Sequence, residues 1–296
     1  MCAKDTQGRI KVWPPTVSSI ITYPIQLKDI NINFNRVGQS IERVSFGTRI
    51  NKASDDIAGL AISEALRSDI RALRQGARNL NDGVSLLNVV EGGLNEQAGA
   101  VIRIKELATQ GSSGTIGDFE RFTLQLEVSS LIAEIDRIAA TTDFNGKSLL
   151  DGALAKSVQA SRQLSIQIGI NGEEASRINL NTELNQAASN SSKLGLGNLL
   201  VTSQEDAQTA IDQSDDALKT LNNSRGKAGA VQNRFAKALG TLGVSIESLT
   251  AADSTIRDAD VAEELAILTR NQIVAQASVT MVGQSNLAGQ NLLNIL

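Results

Sequence analysis

The chain has 296 residues and a formal net charge of −4, with no histidine and a single cysteine, Cys2. Because histidine is the commonest general base and side-chain metal ligand, this composition argues against an enzyme and predicts no metal or cofactor. The acidic balance argues against nucleic-acid binding, which normally needs a basic excess, and one cysteine excludes an internal disulfide.

Apolar residues make up 41% of the chain but aromatic residues only 3%. This balance favours long helices packed along narrow seams over one thick core. All three prolines lie within residues 1–29, and we expect Pro24 to prevent a continuous helix there. No stretch has the roughly twenty continuous apolar residues of a membrane span, and the first residues lack the pattern of a cleavable signal peptide.

The first predicted helix covers residues 30–46, because its apolar residues alternate at four- and three-residue spacing, as in a coiled coil. These seam positions are Ile30, Phe34, Val37, Ile41 and Val44. A joint follows at Gly47, and Asp55 and Asp56 have side chains that commonly cap a helix N-terminus. The chain should therefore bend here and restart as a helix near residue 57.

Residues 57–110 keep the same spacing over several heptads and predict one long helix. Glycine and serine residues at 111–117 predict a turn. Apolar positions across 124–138 then predict a returning helix, which should end within 141–146.

Residues 164–181 alternate apolar and polar side chains, with Asn171 and Gly172 between the two runs. Asn-Gly supports positive φ angles, so this segment predicts a β-hairpin. Residues 185–198 are polar and contain glycine and serine, which predicts a linker.

Ser203 and Asp206 have the spacing of a capping box, and a strong apolar period follows over several heptads. We expect this helix to break at 250–253 before a last helix begins. Seam positions of the last helix are Leu265, Leu268, Ala275, Val279 and Val282, and an apolar tail contains Leu293, Ile295 and Leu296.

Long helices at both ends with a small β element between them imply that the termini pair, since one helix cannot bury a narrow seam alone. The sequence therefore predicts a mainly α fold, an elongated hairpin-shaped helical rod with coiled-coil termini and a small β-hairpin.

Several ordered motifs resemble those of the bacterial flagellin family. Near the N-terminus they are Ser40-Ile41-Glu42-Arg43 and Gly47-Thr48-Arg49-Ile50-Asn51, followed by Asn81-Asp82-Gly83, Lys105-Glu106-Leu107-Ala108 and Phe144-Asn145-Gly146. At the other end they are Gln232-Asn233-Arg234-Phe235 and Ile256-Arg257-Asp258-Ala259-Asp260. The resemblance covers about residues 30–184 and 194–296.

Membership would imply a filament subunit for motility, exported without a cleavable signal to the flagellum or cell surface. Its domains would be an atypical segment at 1–29, an inner-core coiled coil at 30–46 and 254–296, an outer core at 47–184 and 199–253 with the hairpin at 164–181, and a short linker at 185–198 replacing variable domains. Implied partners are further copies of the chain, an export chaperone, and hook-associated and cap proteins.

The resemblance also implies contacts with the flagellin-sensing Toll-like receptor at Arg103, Leu107 and Glu127, and similarity of the C-terminal tail to one read by cytosolic sensors. A basic stripe at helical spacing comprises Arg67, Arg71, Arg74 and Arg78. It indicates either a solvated helix face or a site for an acidic polysaccharide. The alternatives to a filament subunit are thus a flagellin-like surface protein that binds such a polymer or a host receptor, and a hook-filament junction protein.

Overall fold

The computed structural model describes residues 3–4, 10–11 and 16–293. Within them, six helices are α1 (Thr16–Phe46), α2 (Ile57–Gly111), α3 (Asp118–Thr141), α4 (Leu180–Leu184), α5 (Gln204–Arg257) and α6 (Val261–Leu293). The described strands form antiparallel pairs: β1 (Ala3–Lys4) with β2 (Ile10–Lys11), β3 (Asp143–Phe144) with β4 (Lys147–Ser148), and β5 (Ser165–Gln167) with β6 (Arg177–Asn179). Two 3₁₀ turns lie at Ala160–Arg162 and Glu174–Ser176. The predicted mainly α fold with a small β-hairpin is confirmed.

The chain divides into two compact units. The terminal unit combines Met1–Arg67 with Ala251–Leu296, and the middle unit is Ser68–Thr250. Helices α2 and α5 each contribute residues to both units. The domain bounds inferred from the sequence stay a prediction.

In the terminal unit, α1 packs against α6, and backbone hydrogen bonds hold the end of α1 to the α5–α6 junction. The N–H of Ala259 donates to the carbonyl oxygen of Gly47 at 3.0 Å, and the N–H of Arg49 donates to that of Arg257 at 2.6 Å. Thr48 lies between these bonds and forms an antiparallel bridge with Asp258. We call this hydrogen-bonded region the joint.

Two expectations about helix breaks are wrong. Helix α1 begins at Thr16 and passes through Pro24. Proline in a helix interior removes one hydrogen bond and costs about 3 kcal/mol, but a helix of 31 residues keeps its bonds on either side. Helix α5 likewise continues through 250–253 to Arg257, because those residues include neither glycine nor proline.

Two predicted helix starts, those of α2 and α5, are confirmed by their caps. The carboxylate of Asp56 accepts a hydrogen bond from the N–H of Gly59 at 2.9 Å, at the start of α2. Likewise, the hydroxyl of Ser203 accepts from the N–H of Asp206 at 3.1 Å, at the start of α5.

The middle unit has one apolar core, formed by the seams of α2, α3 and α5 with the β5–β6 hairpin. Its fully buried side chains include Leu80, Leu87, Leu94, Ile135, Leu180 and Phe235. Gly76 of α2 approaches this hairpin so closely that a Cβ there would lie 2.4 Å from the carbonyl oxygen of Ile168. The absence of a side chain therefore lets the hairpin lie directly on the helix.

The positive-φ Asn-Gly turn lies in a different hairpin from the one expected. Asn145 and Gly146, between β3 and β4, have φ angles of 54° and 73°, whereas Asn171 and Gly172 do not have positive φ. A tight two-residue turn needs positive φ at both positions. Strands β5 and β6 are joined instead by the longer segment 168–176, which contains a 3₁₀ turn and does not need them.

Residues 185–198 differ from the expected polar linker because they pack against α2 and α3. The buried amide of Gln97 donates to the carbonyl oxygens of Ile135 and Ser189, at 3.1 and 3.0 Å. The carboxylate of Asp136 accepts from the N–H and hydroxyl of Ser191, at 2.7 and 2.8 Å. Leu194 and Leu196, two residues apart, are both buried in the core, so the segment is an ordered part of the unit.

Candidate functional site

The interface between α1 and α6 contains polar pairs. The amide of Asn33 donates to the hydroxyl of Ser278 at 2.8 Å. The amide of Asn271 donates to the buried hydroxyl of Ser40 at 3.2 Å. Arg43 lies 3.9 Å from the buried carboxylate of Glu264. We call these three pairs the polar ladder. Residue numbers increase along α1 from pair to pair while they decrease along α6, so the two helices run antiparallel.

The predicted seam residues divide into two groups. Ile30, Val37, Val44, Leu268, Ala275 and Val282 are buried or half-buried. Phe34, Ile41, Leu265 and Val279 are instead 54%, 50%, 45% and 48% exposed. We call this second group the outer stripe. The helix pair therefore leaves part of the predicted seam uncovered.

A groove of about 540 Å³ lies along the helix pair. It is lined by Phe34, Val37, Gln272, Ala275, Gln276, Val279 and Thr280. Its lining includes both less exposed seam residues, Val37 and Ala275, and exposed ones, Phe34 and Val279. An apolar side chain that entered the groove would therefore pack against the seam residues of both helices.

Further apolar side chains are exposed on the same helices but were absent from the predicted seams. They are Ile32 and Phe46 of α1, and Ile273, Val274 and Met281 of α6. The sequence does contain a signal for these residues. Helix α6 has more apolar positions than a single coiled-coil seam requires, which predicts a wider apolar face. In the predicted tail, Ile295 and Leu296 lie outside the described residues, as does the side chain of Leu293.

Charged groups stabilise the chain beside the joint. Lys52 donates to the carboxylate of Glu42 at 2.7 Å, and this hydrogen bond is the main cause of a lowered pKa at Glu42. Arg257 donates to Glu64 at 3.0 Å and lowers the pKa of Glu64 in the same way. The buried hydroxyl of Ser63 donates to Asp253 at 2.6 Å. The carboxylates of Glu42 and Glu64 therefore stay ionised to lower pH than free side chains.

The predicted receptor contacts lie on α2 and α3 of the middle unit. Arg103 forms ion pairs with Glu106 at 3.0 Å and with Glu127 at 2.8 Å, and all three are exposed. Hydrogen bonds to Glu106 and Glu127 raise the pKa of Arg103. Leu107, however, is 1% exposed. A direct receptor contact by Leu107 does not fit its burial, because its period along α2 places it in the core.

The four arginines of the basic stripe are exposed. Arg67 donates to Glu64 at 3.2 Å, and Arg78 donates to Gln75 at 2.9 Å, both three residues away on α2. Such pairs within one helix are typical of a solvated face. Among the described residues, no cluster of potential metal ligands is present and no helix is long and apolar enough to cross a membrane.

Paired terminal helices that both expose apolar side chains are typical of proteins that associate with further copies. Fold and surface thus define a helical assembly subunit. The chain belongs to the bacterial flagellin family: the family model for the flagellin N-terminal helical region matches residues 17–155, and that for the C-terminal helical region matches 211–296.

The relatives are filament proteins. The chain is 40% identical over 269 residues to a flagellar filament 30.7 kDa core protein of Treponema maltophilum, covering 90% of this chain and 94% of that protein. It is 36% identical over 293 residues to a flagellin of Bacillus subtilis (strain 168), covering 91% and 96%. A putative flagellar hook-associated protein from Vibrio parahaemolyticus shares the fold alone, with a TM-score of 0.56 and 13% identity over 69% of this chain and 100% of that one.

The chain is accordingly a structural subunit of the bacterial flagellar filament, which functions in motility outside the cell. Flagellins are structural proteins rather than enzymes. The coverage of the two filament relatives shows that this short form is close to their full length. The comparisons do not support the alternative of a surface protein that binds a polysaccharide or receptor.

Proposed function

We propose that this flagellin assembles through the outer stripe, which a second copy of the chain covers in the filament. The observation that carries the proposal is the exposure of Phe34, Ile41, Leu265 and Val279 on two helices already paired with each other. Fully burying a side chain of this kind stabilises an assembly by about 1.5–3 kcal/mol. Covering the stripe therefore supplies a driving force for polymerisation.

Seeded growth tests this proposal. Purified protein is added to short filament seeds and followed by electron microscopy and sedimentation, and the wild type should elongate them. The double variant Leu265→Ser with Val279→Ser should slow elongation by more than about tenfold, since the two half-exposed side chains together lose burial worth about 1.5–3 kcal/mol, and 1.4 kcal/mol corresponds to a factor of ten.

The matched control is Leu265→Ile with Val279→Ile, which keeps both positions apolar and should elongate seeds at nearly the wild-type rate. Circular dichroism should show the same helix content in all three proteins. Normal elongation of the serine variant would refute assembly through the stripe, and a wild type that stays monomeric would refute polymerisation by this chain.

The proposed partners beyond further copies are an export chaperone and the hook-associated and cap proteins. Family membership supports them, and the exposed apolar face of α6 offers a surface that an export chaperone could cover before assembly. Co-purification of each with this chain tests them one by one.

A second proposal is contact with the flagellin-sensing Toll-like receptor at the exposed ion-pair cluster of Arg103 and Glu127. Arg103→Ala with Glu127→Ala should lower activation of a receptor-reporter cell by soluble protein. Arg137→Ala with Glu134→Ala is the control, because it removes another exposed ion pair, at 2.5 Å, on α3. Equal loss with both variants would contradict a specific contact. Leu107→Ala should instead act through stability, because the side chain is buried.

A further inference from the structure

Helix α3 has apolar side chains on two opposite faces. Its core face includes Val128 and Ile135, which are fully buried. A second line consists of Phe119, Phe122 and Leu126, which are 79%, 56% and 55% exposed. Phe119 and Leu126 each lie two residues before a buried position of the helix, which is about 200° around its axis. The second line therefore faces away from the core of its own chain.

The two exposed phenylalanines lie on an ordered part of the helix. The guanidinium of the buried Arg121 donates to the carbonyl oxygens of Gly111 and Ser113, at 2.9 and 3.1 Å. These bonds tie the start of α3 to the end of α2 and to the turn between them. The exposure of the phenylalanines is therefore a property of the folded surface rather than of a fraying helix end.

A fourth apolar side chain lies beside this line. The amide of Gln125 donates to the carbonyl oxygen of Leu199 at 3.3 Å and accepts from the N–H of Val201 at 2.6 Å. Leu199 and Val201 are buried, whereas Leu200 between them is 51% exposed. Because Gln125 directly precedes an exposed residue of α3, these bonds bring Leu200 next to the exposed line. We call these four side chains the α3 patch: Phe119, Phe122, Leu126 and Leu200.

Helix α5 has an outward face of the opposite shape. Six small or polar residues follow one another there at alternating intervals of three and four residues: Gly226, Gly229, Asn233, Ala236, Gly240 and Gly243. The first three lie two residues before the buried Ala228, Val231 and Phe235, again about 200° around the helix. We call these six positions the small face, because they present little side-chain volume on the side opposite the core.

Packing within the described chain does not account for the four glycines of the small face. A Cβ at any of these glycines would meet nothing within 4 Å. Glycine is among the least favourable residues for a helix interior, because it loses the most backbone entropy on folding. Its missing side chain allows another element to approach the backbone closely. The glycines are therefore explained by a partner that packs against α5.

The two surfaces also carry opposite charges. Residues 118–136 of α3 include five acidic side chains and one basic one, the buried Arg121. Residues 219–243 of α5 include five basic side chains and no acidic one. Glu120 and Glu127 each directly follow a residue of the α3 patch, and Lys227 and Lys237 each directly follow a residue of the small face. Such complementary charges favour encounter of the two surfaces and fix their orientation.

We propose that the α3 patch of one subunit packs against the small face of α5 in a second copy of the chain. Bulky side chains of one helix fit the shallow surface of the other, as ridges fit grooves in helix packing. Each subunit carries both surfaces, and a contact between two different surfaces repeats from copy to copy without closing, as a filament requires. This contact belongs to the middle unit, so it is additional to the outer stripe and does not depend on it.

Replacement of the glycines separates assembly from stability. Gly229→Gln with Gly240→Gln should raise the melting temperature, measured by circular dichroism, because glutamine favours a helix more than glycine does. The same variant should elongate wild-type seeds at least about tenfold more slowly, a loss corresponding to 1.4 kcal/mol, because its side chains keep α3 of the second copy away.

The matched control is Gly92→Gln with Gly99→Gln. These two glycines lie on the exposed side of α2, and a Cβ at either would also meet nothing within 4 Å. The control should gain stability in the same way and elongate seeds at nearly the wild-type rate, followed by electron microscopy. Equal rates of elongation for the two variants would overturn the proposal.

Charge reversal tests whether the two surfaces meet each other. Glu120→Lys with Glu127→Lys should slow elongation at least about threefold, and Lys227→Glu with Lys237→Glu should do the same. A chain with all four substitutions restores opposite charges on the two surfaces and should elongate seeds made of the same chain within about twofold of the wild-type rate. A fourfold variant slower than either double variant would contradict contact between the two surfaces.

The aromatic side chains are tested directly by Phe119→Ser with Phe122→Ser. This variant should elongate seeds at least about tenfold more slowly with unchanged helix content. Ile170→Ser is the control, because Ile170 is 46% exposed in the connection between β5 and β6, outside both surfaces. Normal elongation by the phenylalanine variant would overturn the proposal. Failure of the outer stripe shows instead in Leu265→Ser with Val279→Ser, so the two assembly contacts are refuted separately.

Discussion

At the scale of single residues, Gln97 connects three segments of the middle unit. It lies on α2, is fully buried, and donates both amide hydrogens to carbonyl oxygens of α3 and of the segment containing Ser189. Replacing it with methionine, Gln97→Met, keeps the volume and removes both hydrogen bonds. We expect a loss of about 1–3 kcal/mol in the free energy of unfolding.

Urea denaturation measures this loss. The control is Gln110→Met, the same substitution at an exposed position of α2, which should change the free energy by less than about 0.5 kcal/mol. Equal effects of the two substitutions would show that the buried amide does not hold the segment in place.

Two glycines of α2 should respond oppositely to alanine. At Gly76, a Cβ would meet the backbone of Ile168 at 2.4 Å, whereas at Gly92 it would meet nothing within 4 Å. Gly76→Ala should destabilise the middle unit by about 1–3 kcal/mol through overpacking. Gly92→Ala should stabilise it by up to about 1 kcal/mol through helix propensity. Thermal unfolding followed by circular dichroism compares them, and a stabilising Gly76→Ala would contradict the close approach of the hairpin.

At the scale of elements, the Glu64–Arg257 pair beside the joint predicts a pH dependence. Because Arg257 lowers the pKa of Glu64 from its ordinary value of 4.5 in the folded state, the unfolded chain binds the proton more readily. The stabilising contribution is therefore present above pH 4.5 and is lost as the pH falls through the lower folded pKa.

The variant Glu64→Gln isolates this contribution. Its melting temperature should lie below that of the wild type at pH 7, and the difference should disappear as the pH falls below 4.5. Glu247→Gln, at an exposed glutamate of α5, is the control and should show little difference at either pH. A difference between Glu64→Gln and the wild type that persists undiminished in acid would rule out the ion pair as its cause.

At the scale of the whole molecule, the proposed assembly predicts that filament growth requires α6. Deleting residues 284–296 removes the end of this helix, including the exposed Leu287. We expect the truncated chain to lose filament growth while the middle unit stays helical, because the core of that unit lies within residues 80–242. Filaments of normal length from the truncated chain, seen by electron microscopy, would contradict a role of α6 in assembly.

The sequence by itself determined the presence of the long helices and the starts of α2 and α5. The four-three spacing predicts α2 within one residue of its observed ends, Ile57 and Gly111, because every turn of a helix repeats the same local signal. The caps at Asp56 and Ser203 could be read for the same reason, since a cap bonds within three residues. The family resemblance likewise needed only ordered motifs along the chain.

Only the tertiary structure decided which side of each helix faces a partner. A seam predicts an apolar face, but Phe34 and Ile41 of that seam are exposed, while the core of the middle unit buries Leu107. The packing of residues 185–198 against α2 and α3 likewise depends on Gln97 and Asp136, which are distant in sequence. Local periodicity reports which residues can be buried, whereas long-range pairing fixes which of them are.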